Sequence, residues 1–447
     1  MAHWSSAGRL TGQGGCITSR NGSDYGRLLI KGMEMKSKLL AMGMLLAAGS
    51  AQAQPAAPAE IKVGALYASS GPYASISMPV FDGFKLWVDQ VNASGGVEVK
   101  AFGKKIPLKL IAYDDQSSTA TAATLYNQLI TQDHVDLLIA DSGSVLTSVG
   151  VPIAKEHKQF LFDVSGTGAA FFTDDNPYIA LMADPVSTIW PHYISDFLGD
   201  EGVKAGIKTV AILYSTNDFT GTQAAALKGF FERDGKVKVV YYQGVPTSTS
   251  NYTVLINNIA ALNPDAVLEL GYVGNDIAFL RNLQDSGNQF KFVFSIYAGT
   301  EKEEIEKNVG VSALTNIYSY VPPSNYVYKP EAGMTQQEFH AAWDKKYPPG
   351  SGVAFGANAV YGYMTGLVVE QTLATTKSLD QMDIHNAVFA LSGKLKTLDG
   401  TFELRKDGAQ IGEVTPLGQL QPAGKDELNL VAVYPPDLAN GKAVIGK

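Results

Sequence analysis

From Ile61 onward the chain alternates short apolar runs with amphipathic stretches. IKVGAL (61–66) is apolar at nearly every position, as a strand covered on both faces requires, and the loop SSGPY (69–73) follows it. Val80, Phe84, Trp87, Val88 and Val91 then recur on one helical face. The unit repeats. IPLKLIAY (106–113) precedes Ala122, Leu125, Tyr126, Leu129 and Ile130 at helical spacing, VDLLIA (135–140) precedes VLTSVGVPIAKEH (145–157), and QFLFDV (159–164) ends in a glycine-rich turn. Strand, loop and helix in regular succession predict a parallel sheet covered by helices on both faces.

A second series begins after the proline-bearing stretch MADPVSTIWP (182–191). KTVAILY (208–214), a helix over Phe219 to Arg233, VKVVYYQ (237–243), a helix over Tyr252 to Ala261, DAVLEL (265–270) and FKFVFS (290–295) predict a second doubly wound lobe. Beyond it lie NIYSYV (316–321), helical stretches over Gln336 to Lys346, Ala357 to Ala374 and Asp380 to Leu391, and strand-like GTFEL (400–404) and LNLVAVY (428–434). The expected fold is α/β, with two doubly wound lobes whose strands point their carboxyl ends at a shared crevice, the usual ligand position in open α/β sheets.

The first 60 residues break this pattern. Lys36 and Lys38 precede the apolar run Leu39 to Ala48, and Ala51-Gln52-Ala53 follows, which is the layout of a secretory signal peptide with cleavage expected after Ala53. Residues 1–32 have no export logic, and Met33 or Met35 stands where a signal peptide would begin. The remainder holds no run of about 20 apolar residues of the kind a spanning helix needs. Export changes the reading of composition. Cys16, the only cysteine, falls in the leading stretch, so the exported part has no disulfide, no thiolate nucleophile and no thiolate metal site. Residues 1–53 also hold six of the 35 Lys/Arg and two of the 43 Asp/Glu, so their removal moves the formal charge from −8 to −12. That balance argues against a nucleic-acid partner, because phosphate binding needs a basic surface.

No H-E-x-x-H or G-x-S-x-G occurs, no G-x-x-x-x-G-K stands between a strand and a helix as phosphate binding requires, and the six histidines are scattered without ligand spacing. Asp114 and Asp115 adjoin on a strand and so point to opposite sides, which suits capping or interlobe hydrogen bonding better than paired acid–base work. Neither a cofactor nor a metal is expected. The turn Asp141-Ser142-Gly143-Ser144 follows a strand and opens a helix, so Ser142, Gly143 and Ser144 can offer N–H and hydroxyl donors to a carboxylate, although a plain helix cap is the alternative. Ser165, Gly166 and Thr167 form a second such loop, where glycine lets the backbone approach a ligand and the hydroxyls supply donors. Tyr73, Phe219, Tyr272 and Tyr297 stand at strand-to-helix corners and would wall a small apolar or aromatic ligand.

Taken in order, IKVGALYASSGPYA, VNASGGV, LIAYDDQSST, DSGS, LFDVSGTGAA, LYSTNDFTG and LELGYVGNDIAFLRNLQDSG resemble the extracytoplasmic solute-binding proteins of ABC importers, type I fold, in the leucine/isoleucine/valine-binding branch. The resemblance covers about Ile61 to Tyr434. It implies a three-crossing hinge between a first lobe (61–182 with 318–396) and a second (183–317 with 397–447). It also implies closure around a buried ligand, delivery to an inner-membrane ABC permease, and a monomer. By position, the Ser142–Ser144 and Ser165–Thr167 loops would meet the ligand carboxylate, with Phe219 and Tyr272 closing from the second lobe. Amino-acid-binding members meet the ammonium with an acidic residue after the strand corresponding to FKFVFS; here Ala298 takes that place, with Glu301 nearby. Ile76 replaces a first-loop tyrosine that some members carry, and Tyr73 is added. An aromatic or other small carboxylate is therefore favoured over a branched-chain amino acid, since an ammonium buried without a carboxylate is costly. A sensory ligand-binding protein, or a two-lobed α/β enzyme, are the alternatives.

Overall fold

The computed structural model describes residues 56–322, 329–353 and 355–446. The signal peptide and the start-site expectation lie outside those residues. The first lobe is built on Ile61–Tyr67 (β1), the hairpin Val97–Val99 (β2) and Lys104–Ile106 (β3), Leu108–Asp114 (β4), Leu137–Ile139 (β5), Leu161–Asp163 (β6) and Ile179–Leu181 (β7). Five of these form a wholly parallel sheet in the order β4-β1-β5-β6-β7, and β2 and β3 pair on their own. Alternate residues divide between the two faces. Leu137, Ile139, Phe160 and Phe162 join one core with the helices Ala74–Ala93 and Ala359–Leu373, while Leu138 and Leu161 join another with Tyr126 and Leu129 of the helix Thr119–Thr131. This two-sided burial is why the strands read as unbroken apolar runs. The edge strand β4 is only half covered and carries the polar positions.

The helices Ala74–Ala93 and Ala359–Leu373 touch backbone to backbone. A Cβ on Gly83 would lie 2.0 Å from the Ala359 carbonyl oxygen, and one on Gly362 would lie 1.8 Å from that of Val80. The second of these helices is buried nearly all round, which is why it shows no amphipathic stripe.

The second lobe uses Thr209–Ser215 (β8), Lys238–Val245 (β9), Ala266–Leu270 (β10), Phe292–Ser295 (β11) and Tyr318–Tyr320 (β12). A small hairpin, Leu395–Lys396 (β13) and Thr401–Phe402 (β14), comes before Leu417–Gly424 (β15) and Glu427–Tyr434 (β16). Its sheet runs β16-β15-β12-β11-β10-β8-β9, parallel as far as β12, with β15 and β16 added antiparallel. Its helices carry the local signals their sequences suggest: Asn217 accepts from the Phe219 and Thr220 N–H groups, and Gly235 and Gly287 end their helices at φ 69° and 68°.

The chain crosses between the sheets three times, after β7, β12 and β14. The first and third crossings are laced together. Leu181 N donates to Gly408 O (2.9 Å), Val186 N to Gln410 O (2.9 Å), Asp184 N to Glu413 Oε2 (2.7 Å) and Thr415 Oγ1 to Trp190 O (2.9 Å). Two crossings fall later than expected from sequence. Tyr318–Tyr320 pairs within the second sheet, and Phe402 and Leu404 pack in the first lobe's core. A strand-like run announces its burial but not which sheet adopts it.

Candidate ligand cleft

The carboxyl ends of β5 and β6 face those of β8, β10, β11 and β12 across a cleft. It amounts to about 700 Å³ counted to its mouth, yet space wide enough for water fills only about 50 Å³. The lobes touch across it. Asn358 Nδ2, ahead of a first-lobe helix, donates to Glu301 Oε1 of the second lobe at 2.8 Å, and Ile76 and Leu146 pack into the second lobe's core.

One end of the cleft is polar. The helix Ser144–His157 begins at Gly143, whose φ of 84° and ψ of 151° suit glycine alone, and no side chain caps it. Its first N–H groups therefore face the cleft, where the dipole favours negative charge. Ser142 Oγ and Ser165 Oγ lie 2.9 Å apart, Gly143 N donates to Ser165 Oγ at 3.2 Å, and Gly168 N donates to Ser144 Oγ at 3.0 Å, which fixes the hydroxyls in place. Behind this turn the buried Asp141 sits beside Asp115. Burial raises both carboxyls, that of Asp115 to about 6, with the charge of Asp115 adding to the rise at Asp141.

The walls are aromatic. Trp190 stands edge-on to Phe219 (5.1 Å, 86°) and to Tyr320 (5.0 Å, 85°), and Tyr272 stacks parallel to Tyr297 at 6.1 Å. The Tyr272 hydroxyl approaches the N–H groups of Ser144 and Val145 from the other lobe but closes no hydrogen bond. Burial pushes the phenols of Tyr272, Tyr297 and Tyr320 upward, so they stay neutral.

The hinge end is acidic. Asp184, Asp399 and Glu413 line the cleft and are all buried. The carboxyls of Asp399 and Glu413 lie within hydrogen-bonding reach of each other, and Tyr361 hydrogen-bonds Asp184. Burial raises all three, Asp399 to about 7; the charge of Asp399 adds to the rise at Asp184 and Glu413.

Seven of the residues singled out from sequence line this cleft: Ser142, Gly143, Ser144, Ser165, Phe219, Tyr272 and Tyr297. Three do not. Gly166 is held against Asp163 and Thr147, where a Cβ would come within 2.6 Å of the Asp163 carboxylate, so glycine serves packing there. Thr167 spends its hydroxyl on Ser187 Oγ (2.7 Å). Tyr73 leans on the outer side of Tyr272, bordering a separate shallow pocket. Ala298 is fully buried off the cleft, while Thr300 and Asn358 reach the wall. Sequence reasoning passed over Asp184 and Trp190 because MADPVSTIWP reads as a linker. It missed Asp399 and Glu413 because only folding brings them beside Asp184.

Two doubly wound lobes, a three-crossing hinge and a cleft between their strand ends define a type I periplasmic binding protein. The sequence profile of the family described as periplasmic binding protein matches residues 60–425, and the chain belongs to that family. A curated relative, Leu/Ile/Val-binding protein homolog 7 of Brucella suis biovar 1 (strain 1330), is 25% identical over 414 residues, spanning 90% of this chain and 97% of its own. Among solved structures, the branched-chain amino acid transporter substrate-binding protein LivJ of Streptococcus pneumoniae, in complex with isoleucine, superposes with a TM-score of 0.66 at 19% identity. That match covers 84% of this chain and all of that one. An ABC transporter solute-binding protein of R. palustris, in complex with benzoate, gives 0.66 at 18% identity over 87% of this chain and 99% of its own.

Proposed function

We propose that this chain is the capture component of an ABC importer: it takes a small carboxylate into the interlobe cleft, closes over it, and presents the closed form to an inner-membrane permease. The observation that carries this reading is the polar turn at Ser142–Ser144, opening an uncapped helix directly opposite the aromatic wall of the other lobe. The carboxylate accepts from the Ser144 and Val145 N–H groups and the Ser142 and Ser165 hydroxyls, and the body of the ligand lies against Phe219, Tyr272 and Tyr297. A ligand gripped by both lobes shifts the population toward closure by its differential affinity for the closed state. Family membership, the isoleucine and benzoate carried by two of its structural neighbours, and the expected signal peptide support a periplasmic site of action.

The test is thermal-shift screening with amino acids, aromatic acids, 2-oxo acids and amides, since a tight ligand raises the melting temperature by mass action. A concentration-dependent rise with one class of carboxylate is expected. Rises confined to compounds without a carboxylate would overturn the reading.

A further inference from the structure

We infer that Asp276 is a positioning residue of the ligand cleft: its carboxylate holds the backbone N–H of Tyr297, and buried Glu269 behind it carries the proton that keeps that carboxylate paired. The inference rests on the proposed capture for one step, the contact between ligand and Tyr297.

The two stacked tyrosines of the wall belong to different elements. Tyr272 stands directly ahead of the helix Val273–Ser286, and Tyr297 follows β11. Neighbouring side chains in the first turn of that helix take hold of both. Asn275 Oδ1 accepts from Tyr272 N at 3.1 Å, and Asp276 Oδ2 accepts from Tyr297 N at 2.7 Å. Asn275 is fully engaged, since it also accepts from Ser215 Oγ (3.1 Å) and donates to the Thr247 and Thr249 carbonyls (3.0 Å each). An amide does not titrate, so Tyr272 is held alike at every pH. Asp276 does titrate. It is buried and lies off the cleft wall, so it acts on a ligand only through Tyr297.

Glu269, near the end of β10, is buried within hydrogen-bonding reach of Asp276 and Ser295. Gly271 makes room for it: a Cβ there would come within 2.4 Å of Glu269 Oε1 and 2.5 Å of Asn275 Cβ. Two carboxyls this close in a dry interior do not both ionise. Their surroundings select which one does. Asp276 has the Tyr297 N–H and the first turn of a 14-residue helix, where the dipole favours an anion. No backbone N–H among the described residues reaches Glu269. The proton therefore stays on Glu269, which points it at Asp276. Burial raises both carboxyls, Asp276 to about 7, and the charge of Asp276 adds to the rise at Glu269. The other groups facing the pair are Ser295, the Tyr297 phenol and Tyr252 from the start of the helix Thr253–Ala261, and none of them is a cation. As pH rises through the midpoint, Asp276 turns from a neutral acceptor into a charged one and its bond to Tyr297 strengthens.

The test needs no ligand. The full chain is labelled with 15N-tyrosine, the Tyr297 and Tyr272 amides are assigned from the signals lost in Tyr297→Phe and Tyr272→Phe, and both are followed by NMR from pH 5.5 to 9. The Tyr297 amide proton is expected to move downfield with a midpoint near 7, and the Tyr272 amide by a small fraction of that. Asp276→Asn, which keeps an acceptor but cannot ionise, should abolish the movement. Glu269→Met, which removes the donor, should shift the midpoint upward. A Tyr297 amide that stays still, equal movement of the two amides, a titration that survives Asp276→Asn or a midpoint that Glu269→Met leaves in place overturns the inference. Leucine, phenylalanine and benzoate are then titrated calorimetrically at pH 8. For the tightest of the three, Asp276→Ala should weaken binding at least about fivefold and Asp276→Asn should recover most of that loss; unchanged affinity in Asp276→Ala removes the positioning role. The two proposals fail separately. If none of the three acids binds, the result counts against the capture reading, while the amide titration still decides the hold of Asp276 on Tyr297, as it does if Asp276→Ala fails to fold.

Discussion

The ring of Tyr272, carried by the second lobe, meets that of Tyr73, carried by the first, edge-on at 5.1 Å and 66°. Tyr272 thus has Tyr73 behind it and the cleft before it, and its hydroxyl lies buried without a hydrogen bond. Tyr272→Ala removes the ring that links the lobes and is expected to weaken ligand binding at least about tenfold, roughly 1.4 kcal/mol. Tyr272→Phe keeps the ring and deletes an unpaired polar atom, so affinity should stay within about threefold and the melting temperature should hold or rise. Calorimetric titration and a thermal melt of both variants check this; equal affinity for Tyr272→Ala and wild type would take the residue out of the site.

Ser142 and Ser165 hold each other's hydroxyls at 2.9 Å over the helix start. Hydrogen bonds to a charged group contribute about 1.5–3 kcal/mol, so Ser142→Ala or Ser165→Ala should weaken a carboxylate ligand about 10- to 100-fold. Thr167→Ala is the contrast, because its hydroxyl is bound to Ser187 and does not reach the cleft wall. It should lower the melting temperature and leave the dissociation constant alone.

Several carboxyls titrate high in the folded protein: Asp399 and Asp276 near 7 and Glu301 near 8, each chiefly through burial. Unfolded carboxyls titrate near 4, so the folded state holds extra protons between about pH 4 and 8. Stability is therefore greatest at the acid end of that window and is lost as pH rises through it. The melting temperature of the unliganded protein should fall by at least about 2 °C between pH 5 and pH 8. Glu301→Gln, which keeps an oxygen for the Asn358 amide, should reduce the fall. A melting temperature that climbs over this range would contradict the burial of these groups.

Two glycines separate crowding from flexibility. Gly362→Ala would drive a methyl into the Val80 carbonyl at 1.8 Å, and overpacking of that kind costs about 1–3 kcal/mol or more. Gly229 lies within the helix Asp218–Asp234 with open space around it, so Gly229→Ala should stabilise by about 0.5–1 kcal/mol. Denaturant melts of the two variants should move in opposite directions.

Much of the architecture could be read directly from the chain because strands buried on both faces leave unbroken apolar runs. The helix Gln336–Lys346 matches its expected limits, helped by the Thr335 and Glu338 capping box. Elements with weak local signals escaped: the β2–β3 hairpin, β7 at Ile179–Leu181, and the β15 strand LGQLQPAG, whose glycines and proline read as loop. The polar turn at Ser142–Ser144 was legible because strand end, glycine and serines are contiguous. The acidic hinge was not, since Asp184 lies more than 200 residues from Asp399 and Glu413 in sequence, and proximity of that kind is a property of topology.

The placement of the tryptophans gives the molecule an optical readout of its own. Among the described residues, Trp87 and Trp343 are sealed in the first lobe's core, whereas Trp190 stands in the cleft wall between Phe219 and Tyr320. Its indole N–H is already committed to the Pro185 carbonyl. Emission from that one indole will therefore report the polarity of whatever touches its ring, and occupancy can be followed in real time without a label.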